Sequence, residues 1–258
     1  MATGFEEYCD QLWQDWINDN LQVDLKLASR FQMDHMPEPY LLFGDGERHL
    51  CVLTTNPGIG MEHQTRQAIR ANRSCVEPLD NYHDAAVKLA QFYSGHLRGQ
   101  AKTRIDKLVS LAEQIGNTGV LQFESCPYHS AKLPEKRSLP DRFEQDSVMQ
   151  DYTHLLENRL RNETCVALSA VGSNKPISQK TITENVWLSW QAGVMAFEPD
   201  TADIIPLSRK GDKVTSAFIY SRMNGLVKGF ILMMGGNHLP GQDHLSDIAR
   251  VLRGGHDV

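Results

Sequence analysis

The chain has 258 residues, of which 41% are hydrophobic and 22% are charged. This balance is typical of a folded globular protein and excludes an intrinsically disordered chain, and the length favours one large domain with a substantial core. The formal net charge of -6 counts mildly against nucleic-acid binding. A DNA-binding role would therefore need a local basic surface.

The cysteines and the N-terminal residues indicate the cellular compartment of the protein. The five cysteines are odd in number and include no Cys-x-x-Cys pair, which predicts a reducing environment without a disulfide framework or an iron–sulfur site. The stretch MATGFEEYCDQLWQDW is acidic and amphipathic, unlike a signal peptide. The longest apolar run, FILMM, is far shorter than the about 20 residues of a membrane span. We therefore expect a cytoplasmic protein with no membrane partner, and no obligate protein partner is evident.

Apolar periodicity and turn residues predict an alternation of helices and strands. The chain begins with a helix in EEYCDQLWQDWINDNL, followed by two strands around a Gly-Asp-Gly turn in YLLFGDGERHLCVLTTN and by helices near 81–95 and 103–116. A strand in TGVLQFES, a helix near 147–161, a strand in TCVALSAVG and one helix in ISQKTITENVWLSWQAG come next. The chain ends with a hairpin in ADIIPLSRKGDKVTSAFIYSR that turns at Lys210-Gly211-Asp212, a strand in KGFILMMGGNHLPG and a helix near 243–252.

Continuous apolar strands separated by helices indicate a parallel sheet that is covered by helices on both faces. The predicted fold class is therefore α/β, as a three-layer α/β/α sandwich with a short, mainly parallel central sheet. No internal repeat or low-complexity linker interrupts the chain. We expect a single domain over 1–258, in which 1–39 form an N-terminal helical extension.

Four of the predicted strands end in loops that carry polar and turn-forming residues. The four loops are Asn56-Pro57-Gly58, Glu124-Ser125-Cys126-Pro127, Gly172-Ser173-Asn174 and Asn237-His238-Leu239-Pro240. Parallel sheets bind ligands at the carboxyl ends of their strands. If the four strands are neighbours, the four loops form one site.

The same segments resemble the motifs of the uracil-DNA glycosylase superfamily, especially those of its single-strand-selective and mismatch-specific branches. TTNPGIGM resembles the first active-site motif, FESCPYHS the base-recognition strand, ALSAVGSNKP the apolar strand before the last motif, and GGNHLPG the last motif, although without its usual Pro-Ser. The order and spacing agree over Tyr40 to Leu252. The resemblance implies a uracil-DNA-glycosylase-like fold and hydrolysis of the N-glycosidic bond of a flipped-out base in DNA. The four spaced cysteines of the iron–sulfur branches are absent, so we expect no cofactor and no metal.

Two motif residues are the predicted catalytic pair. Cleavage of an N-glycosidic bond passes through an oxocarbenium-like sugar while negative charge builds on the departing base. Asn56 would orient the attacking water through its amide, and His238 would donate a hydrogen bond to O2 of the base. The structural alternatives are an asparagine that caps a turn before proline and a histidine of a surface loop.

Glu124 stands where the uracil readers of the superfamily have asparagine. Uracil presents an N3–H donor and an O4 acceptor, whereas cytosine presents an N4 amino donor and an N3 acceptor. A carboxyl group accepts from N4 and, when protonated, also donates to N3. The structural alternative is a solvated glutamate at a strand end. Glu124 therefore favours a cytosine-type base over uracil.

The remaining predicted base-binding residues are Gly58, Phe123 and Met61. In the uracil-specific enzymes a tyrosine stands at the position of Gly58 and blocks substituents at C5, so glycine leaves room there. The predicted substrate is a C5-modified cytosine such as glucosylated hydroxymethylcytosine in phage DNA, and the resemblance then extends to prokaryotic antiviral glycosylases.

The predicted DNA contacts are the backbone at Gly172, Ser173 and Asn174, together with Lys175 and the basic loops KLPEKRSLPDR and SRKGDK. Leu239 is the candidate for filling the gap that a flipped base leaves. The structural alternative for the basic loops is a solvated charged surface.

Other chemistries and functions stay open. Cys126 and His129 with His238 and His244 could hold zinc, and Cys126 beside Glu124 could act as a thiol nucleophile, although the sequence favours neither. The rival functions are a non-catalytic homologue that binds modified DNA, a uracil-excising repair enzyme and a nucleoside hydrolase.

Overall fold

A computed structural model describes residues 4–18, 20–21, 36–44, 47–55, 81–96, 99–129, 139–171, 176–234 and 239–254. Of residues 96, 99–101 and 242 it describes the backbone alone.

Seven strands form one sheet in these ranges. They are β1 (Tyr40–Gly44), β2 (His49–Thr54), β3 (Gly119–Glu124), β4 (Cys165–Val171), β5 (Asp203–Lys210), β6 (Lys213–Met223) and β7 (Leu226–Met234). Their order across the sheet is β1-β3-β2-β4-β7-β6-β5. The described helices are α1 (Phe5–Ile17), α2 (Tyr82–His96), α3 (Gly99–Gln114), α4 (Leu139–Phe143), α5 (Ser147–Leu160), α6 (Lys180–Thr183), α7 (Val186–Met195), α8 (Gln242–Leu252) and a short 3-10 helix, Pro199–Thr201. The protein is therefore a mixed α/β structure, as predicted.

The central part of the sheet is parallel and its margins are antiparallel. Strands β3, β2, β4 and β7 run parallel to one another. Strand β1 pairs with β3, and β6 pairs with β7 and β5, in antiparallel fashion. The prediction of a short, mainly parallel sheet holds for the four central strands only. The two short connections of the β5–β6–β7 meander extend the sheet by antiparallel pairing, because connections of this length cannot cross over to a parallel neighbour.

The four strands that precede the polar loops are the four central strands. The register of β2 against β3 pairs Thr54 with Glu124, and that of β4 against β7 pairs Val171 with Met234. Because all four run in one direction, their carboxyl ends lie at the same edge of the sheet. The four strands are neighbours, so the condition for a shared site at this edge is met.

Strand β3 lies between β1 and β2, although β1 and β2 are adjacent in the sequence. The close approach of β1 and β3 at one end of their pairing depends on two glycines that lie opposite each other, Gly44 and Gly119. A Cβ atom at Gly44, where φ is +88°, would lie 2.7 Å from the carbonyl oxygen of Thr118, and a Cβ atom at Gly119 would lie 2.3 Å from that of Phe43. Larger residues at these two positions would force the backbones of the strands apart.

Helix α1 packs into the main core. Phe5, Cys9, Leu12, Trp13 and Trp16 are buried and recur at helical spacing on one face. The ring centroid of Phe5 lies 5.5 Å from that of Phe123 in β3, and the ring of Trp13 lies 5.8 Å from that of Tyr82 in α2. The start of the segment predicted as an extension is therefore part of the core.

The prediction of a single helix in ISQKTITENVWLSWQAG is wrong, because this segment contains two helices. Helix α6 ends at Thr183 and α7 begins at Val186. Between them the side chain of Asn185 accepts hydrogen bonds from the backbone N–H groups of Trp187 and Leu188. An asparagine that caps a helix in this way has non-helical backbone angles, so it breaks the chain into two helices.

Lys228 of β7 is a buried cation that binds main-chain carbonyl oxygens at the carboxyl end of α5. It is 1% exposed, and its Nζ donates to the main-chain carbonyl oxygens of Leu160 and Glu163, each at 2.5 Å. Burial lowers the pKa of this ammonium group. Its charge lies at the carboxyl end of α5, where the helix dipole favours a cation.

Within the described ranges, no helix combines the length and the apolar character that crossing a membrane requires.

Candidate functional site

The order of the parallel strands creates a switch point at the end of β2, the kind of position where open α/β sheets bind ligands. Strand β2 comes first in the chain among the four, and the chain continues to β3 on one side of it and to β4 on the other. At such a switch point the loops leave the sheet in opposite directions and open a crevice at the carboxyl ends of the strands. Thr54 ends β2 and Glu124 ends β3, so both belong to this edge.

Glu124 is a buried carboxyl group that neighbouring side chains hold in place. It is 3% exposed. The hydroxyl of Thr54, its partner in the register, donates to Oε2 at 2.6 Å, and the amide of Gln122 donates to Oε1 at 2.8 Å. Gln122 reaches the carboxyl group because residues two apart in a strand lie on the same face. Each carboxyl oxygen accepts one hydrogen bond from these two residues and has a second lone pair for another donor.

The pKa of Glu124 lies near neutrality. Burial raises it from 4.5 to about 7, against the opposing effects of the Thr54 and Gln122 hydrogen bonds and of the positive charge on Arg104. A carboxyl group with this pKa exists at neutral pH in both its protonated and its ionised form. It can therefore offer an O–H donor beside an acceptor oxygen.

A second buried carboxyl group, Glu38, precedes Pro39, whose carbonyl oxygen accepts a hydrogen bond from the backbone N–H of Glu124. The backbone N–H of Glu38 donates to the carbonyl oxygen of Pro127 in the loop after β3. The hydroxyl of Tyr93 donates to its Oε1 at 2.5 Å, and Nε2 of His129 lies 3.0 Å from the same oxygen. Burial and the negative charge of Glu124 raise the pKa of Glu38 to about 8, against the hydrogen bond from Tyr93.

The sequence analysis missed Glu38 because it assigned residues 1–39 to an extension. One signal was present: Glu38 lies between two prolines, in MPEPY, directly before an apolar strand. A residue before proline is biased toward extended backbone. An acidic side chain in an extended segment that enters the sheet is expected to be buried, and a buried carboxyl group requires a hydrogen-bonding or charged partner.

A third group of polar side chains fixes the loop after β3 to its neighbours. Ser125 donates its hydroxyl to the carbonyl oxygen of Thr54 at 2.5 Å, and Gln191 of α7 donates to the Ser125 hydroxyl at 2.9 Å. Ser169 of β4 donates to the Gln191 amide oxygen at 3.0 Å. The ends of β2, β3 and β4 are thus joined by buried side-chain hydrogen bonds, which favours a preorganised site.

Most of the other predicted site residues lie outside the described residues. These are the catalytic Asn56 and His238, the base-binding Gly58 and Met61, and the DNA-binding Gly172, Ser173, Asn174 and Lys175. The described strands that lead to them, β2, β4 and β7, end at the edge that carries Glu124. Their predicted roles stay predictions.

Phe123 lies in the core. It is 1% exposed, its ring packs against those of Phe5 and Tyr40, and the guanidinium carbon of Arg159 lies 5.7 Å from its ring centroid. Successive residues of a strand point to opposite faces of the sheet. The structure therefore separates Phe123 from the face that carries the side chain of Glu124.

Leu239 is also buried, at 5% exposure. Its carbonyl oxygen accepts a hydrogen bond from Nζ of Lys107 at 2.9 Å, as does that of Pro240. Inserting this leucine into DNA would require its side chain to leave the core.

The alternative chemistries of Cys126 and His129 find little support. Cys126 is fully buried, and burial raises the pKa of its thiol well above the usual range, which disfavours a thiolate nucleophile. His129 contacts Glu38 instead of a cluster of ligands. Across the described ranges, no group of three or more His, Cys, Asp or Glu residues could hold a metal ion.

A separate cleft lies at the same edge of the sheet, beyond β7. It has a volume of about 430 Å³ and is lined by residues of β5, β6, the end of β7 and the start of α8, among them Ser208, Thr215, Met234, Asp243 and His244. Next to it the hairpin in SRKGDK turns as predicted, with Gly211 at a φ of +61°. The exposed Arg209 and Lys210 give this hairpin a basic end.

The chain matches no protein-family model, no curated protein and no solved structure. The likeness of its four strand-end motifs to one superfamily therefore rests on the residues of the motifs themselves.

Proposed function

We propose that the protein is a DNA glycosylase of the uracil-DNA glycosylase superfamily that hydrolyses the N-glycosidic bond of a flipped-out modified cytosine and leaves an abasic site. The proposal includes cytoplasmic DNA as the partner and a three-layer α/β/α arrangement. Contacts of α2 with β1, of α3 with β3 and of α7 with β4 support such an arrangement.

The observation that carries the proposal is the state of Glu124. It ends a central parallel strand at the switch point of the sheet, its carboxyl group is fixed by Thr54 and Gln122, and its pKa is about 7. In its protonated form it presents an acceptor and a donor side by side. This pattern complements the N4 amino group and the N3 acceptor of cytosine.

The same property supports catalysis. As the glycosidic bond breaks, negative charge develops on the base. A protonated Glu124 that donates to N3 would stabilise that charge, and general acids work best when their pKa lies near the operating pH. Asn56 would orient the water behind the sugar, and His238 would donate to O2.

Uracil fits this carboxyl group less well. Its N3–H would face the O–H of a protonated Glu124, and its O4 would face the acceptor oxygen. Leaving buried polar groups unpaired can discriminate between substrates by about 10⁴-fold. The exposed Arg209 and Lys210, beside the separate cleft beyond β7, supply local positive charge for the DNA backbone in a chain of net charge -6.

Base release tests the proposal directly. Oligonucleotides that contain cytosine, 5-methylcytosine, 5-hydroxymethylcytosine, its glucosylated form or uracil are incubated with the protein in single- and double-stranded form, and the free base is detected by mass spectrometry. We expect release of a C5-modified cytosine and little release of uracil. Glu124→Gln should reduce the release strongly, whereas Glu113→Gln, a matched change of an exposed glutamate, should not.

Three results would contradict the proposal. Binding of modified DNA without release of any base would favour the non-catalytic homologue. Release from free nucleosides but not from DNA would favour a nucleoside hydrolase. Efficient release of uracil by both the unmodified protein and Glu124→Gln would show that Glu124 does not read the base.

A further inference from the structure

We propose that Arg104 of α3 binds a phosphate group of the DNA strand at the edge of the sheet that carries Glu124. This inference rests on the proposed function for the identity of the strand, and it adds a residue to the site, because none of the predicted DNA contacts lies in α3. The support comes from the position of Arg104, from its lack of a partner and from the chemistry of its guanidinium group.

The position of Arg104 follows from the way α3 is connected to the sheet. Only residues 115–118 separate the end of α3 from β3, and the backbone N–H of Thr118 donates to the carbonyl oxygen of Arg48, directly before β2. The end of α3 therefore lies at the amino ends of the parallel strands, and its start lies toward their carboxyl ends. From its last residue back to Arg104 the helix spans about 15 Å, and β3 spans about 17 Å from its first residue to Glu124. Arg104 thus reaches the level of Glu124.

A contact of the same helix supports this direction. Nζ of Lys107 donates at 2.9 Å to the carbonyl oxygens of Leu239 and Pro240, which lie between β7 and α8 and so at the carboxyl edge. Arg104 lies about one helical turn nearer to the start of α3 than Lys107, on a neighbouring position of the same helix face. The positive charge of Arg104 also lowers the pKa of Glu124 against the effect of burial, as a cation at this edge should.

Arg104 has no partner of its own in the part of the chain that the structure describes. Its side chain is half-buried, its Nε is buried without an acceptor, and no hydrogen bond or ion pair joins its guanidinium group to Glu124 or to another described residue. Arg159 of α5, which is half-buried to a similar degree, instead contacts the carboxyl groups of Glu6 and Glu163 at 2.9 and 2.6 Å. A buried donor without an acceptor is costly, and it is expected where a ligand supplies the acceptor.

The chemistry of the guanidinium group selects phosphate as the ligand. Its planar N–H donors match two oxygens of a phosphate group at once. A chain of net charge -6 binds nucleic acid only where it offers local cations to the phosphates. Because Arg104 lies at the level of Glu124, a phosphate bound to it would belong to the nucleotide whose base Glu124 reads or to its neighbour. Arg104 would then fix the strand while Glu124 reads the base.

The main test is the salt dependence of DNA binding, with a fluorescein-labelled single-stranded oligothymidylate that offers no cytosine for release. Arg104→Gln should weaken binding by about tenfold at low salt and reduce the slope of log K against log [NaCl] by about 0.7, the value of one phosphate contact. Arg104→Lys, which keeps the charge but loses the planar donors, should retain the slope and weaken binding less. The control Arg161→Gln removes the same charge from an exposed residue just before β4, at the opposite edge of the sheet, and should change neither quantity.

A second measurement observes the residue itself. The ¹H–¹⁵N NMR signal of the Arg104 Nε, identified by its loss in Arg104→Lys, should shift on titration with thymidine 5′-monophosphate and not with thymidine. If the salt slope and this signal change as expected but no DNA releases a base, the inference stands and the proposed function fails. An unchanged salt slope in folded Arg104→Gln, or a signal that ignores the nucleotide, would overturn the inference even if base release is found. A signal that shifts in a protein that does not bind oligothymidylate would overturn the assignment to a DNA strand.

Discussion

The two buried carboxyl groups make the stability of the fold depend on pH in an unusual direction. The pKa of Glu124 rises from 4.5 to about 7 on folding, and that of Glu38 rises from 4.5 to about 8. Between these values the folded protein binds protons that the unfolded chain has released. Both groups therefore contribute stability at acidic pH, and that contribution is lost as the pH rises through the folded-state pKa.

The size of the effect follows from the proton count. One retained proton changes the free energy of unfolding by about 1.4 kcal/mol per pH unit. Between pH 5.5 and 7.5 each carboxyl group should contribute a loss of about 2 kcal/mol, and the pair about 4 kcal/mol. Because the negative charge of Glu124 raises the pKa of Glu38, Glu124→Gln should remove more than half of this loss, Glu38→Gln about half of it, and the double variant nearly all of it.

Urea unfolding at pH 5.5, 6.5 and 7.5 measures these differences, followed by the fluorescence of buried tryptophans such as Trp13 and Trp187. His49, whose pKa is lowered mainly by burial, should add a rise in stability with pH, but it is present in every variant and cancels in the comparison. Glu113→Gln serves as the control and should follow the unmodified protein. If the variants at Glu38 and Glu124 also run parallel to the unmodified protein, the two carboxyl groups ionise normally and the reasoning about the site is refuted.

Three further outcomes are expected. Asn56→Ala and His238→Ala should abolish most base release while circular dichroism and thermal unfolding stay close to those of the unmodified protein; wild-type rates in either would remove that residue from the mechanism. Glu124→Asn should shift preference toward uracil or eliminate release of the cytosine-type base, as measured on the oligonucleotide panel, and a retained cytosine preference would contradict it. Lys228→Met should lower the free energy of unfolding by about 2 kcal/mol or more, because two main-chain carbonyl oxygens at the end of α5 lose their donor. The control Lys210→Met, at an exposed residue, should change the free energy of unfolding by less than about 0.5 kcal/mol.

The sequence was informative wherever the structure depends on local periodicity. The apolar runs of β2, β3, β4 and β7 were evident as strands, and their alternation with helices correctly indicated that they are parallel neighbours. Glu124 could be identified because it directly follows such a run. The rule that places ligands at the carboxyl ends of parallel strands then directed attention to this edge of the sheet without any knowledge of side-chain contacts.

What the sequence did not reveal depends on contacts between distant residues. Tyr93 and His129 hold Glu38 across 55 and 91 positions of the sequence, so no local pattern marks it as part of the site. The break at Asn185 could not be distinguished from a polar residue on an exposed helix face until its side chain was seen to bond to the following N–H groups. Phe123 was predicted to bind the base, but its burial against α1 depends on a helix that begins more than a hundred residues earlier.

The insertion of β3 between β1 and β2 has a consequence for how the chain folds. Only residues 45–48 separate β1 from β2, so a hairpin between them is the pairing that this part of the chain can form fastest, within about 1–10 μs. The native arrangement instead requires β3 to arrive from more than sixty residues away and to separate them, and long-range pairings of this kind form slowly. We therefore predict that a premature β1–β2 hairpin competes with the native pairing during folding. Substitutions that make residues 45–48 a better turn, and that leave the free energy of unfolding almost unchanged, should therefore slow refolding.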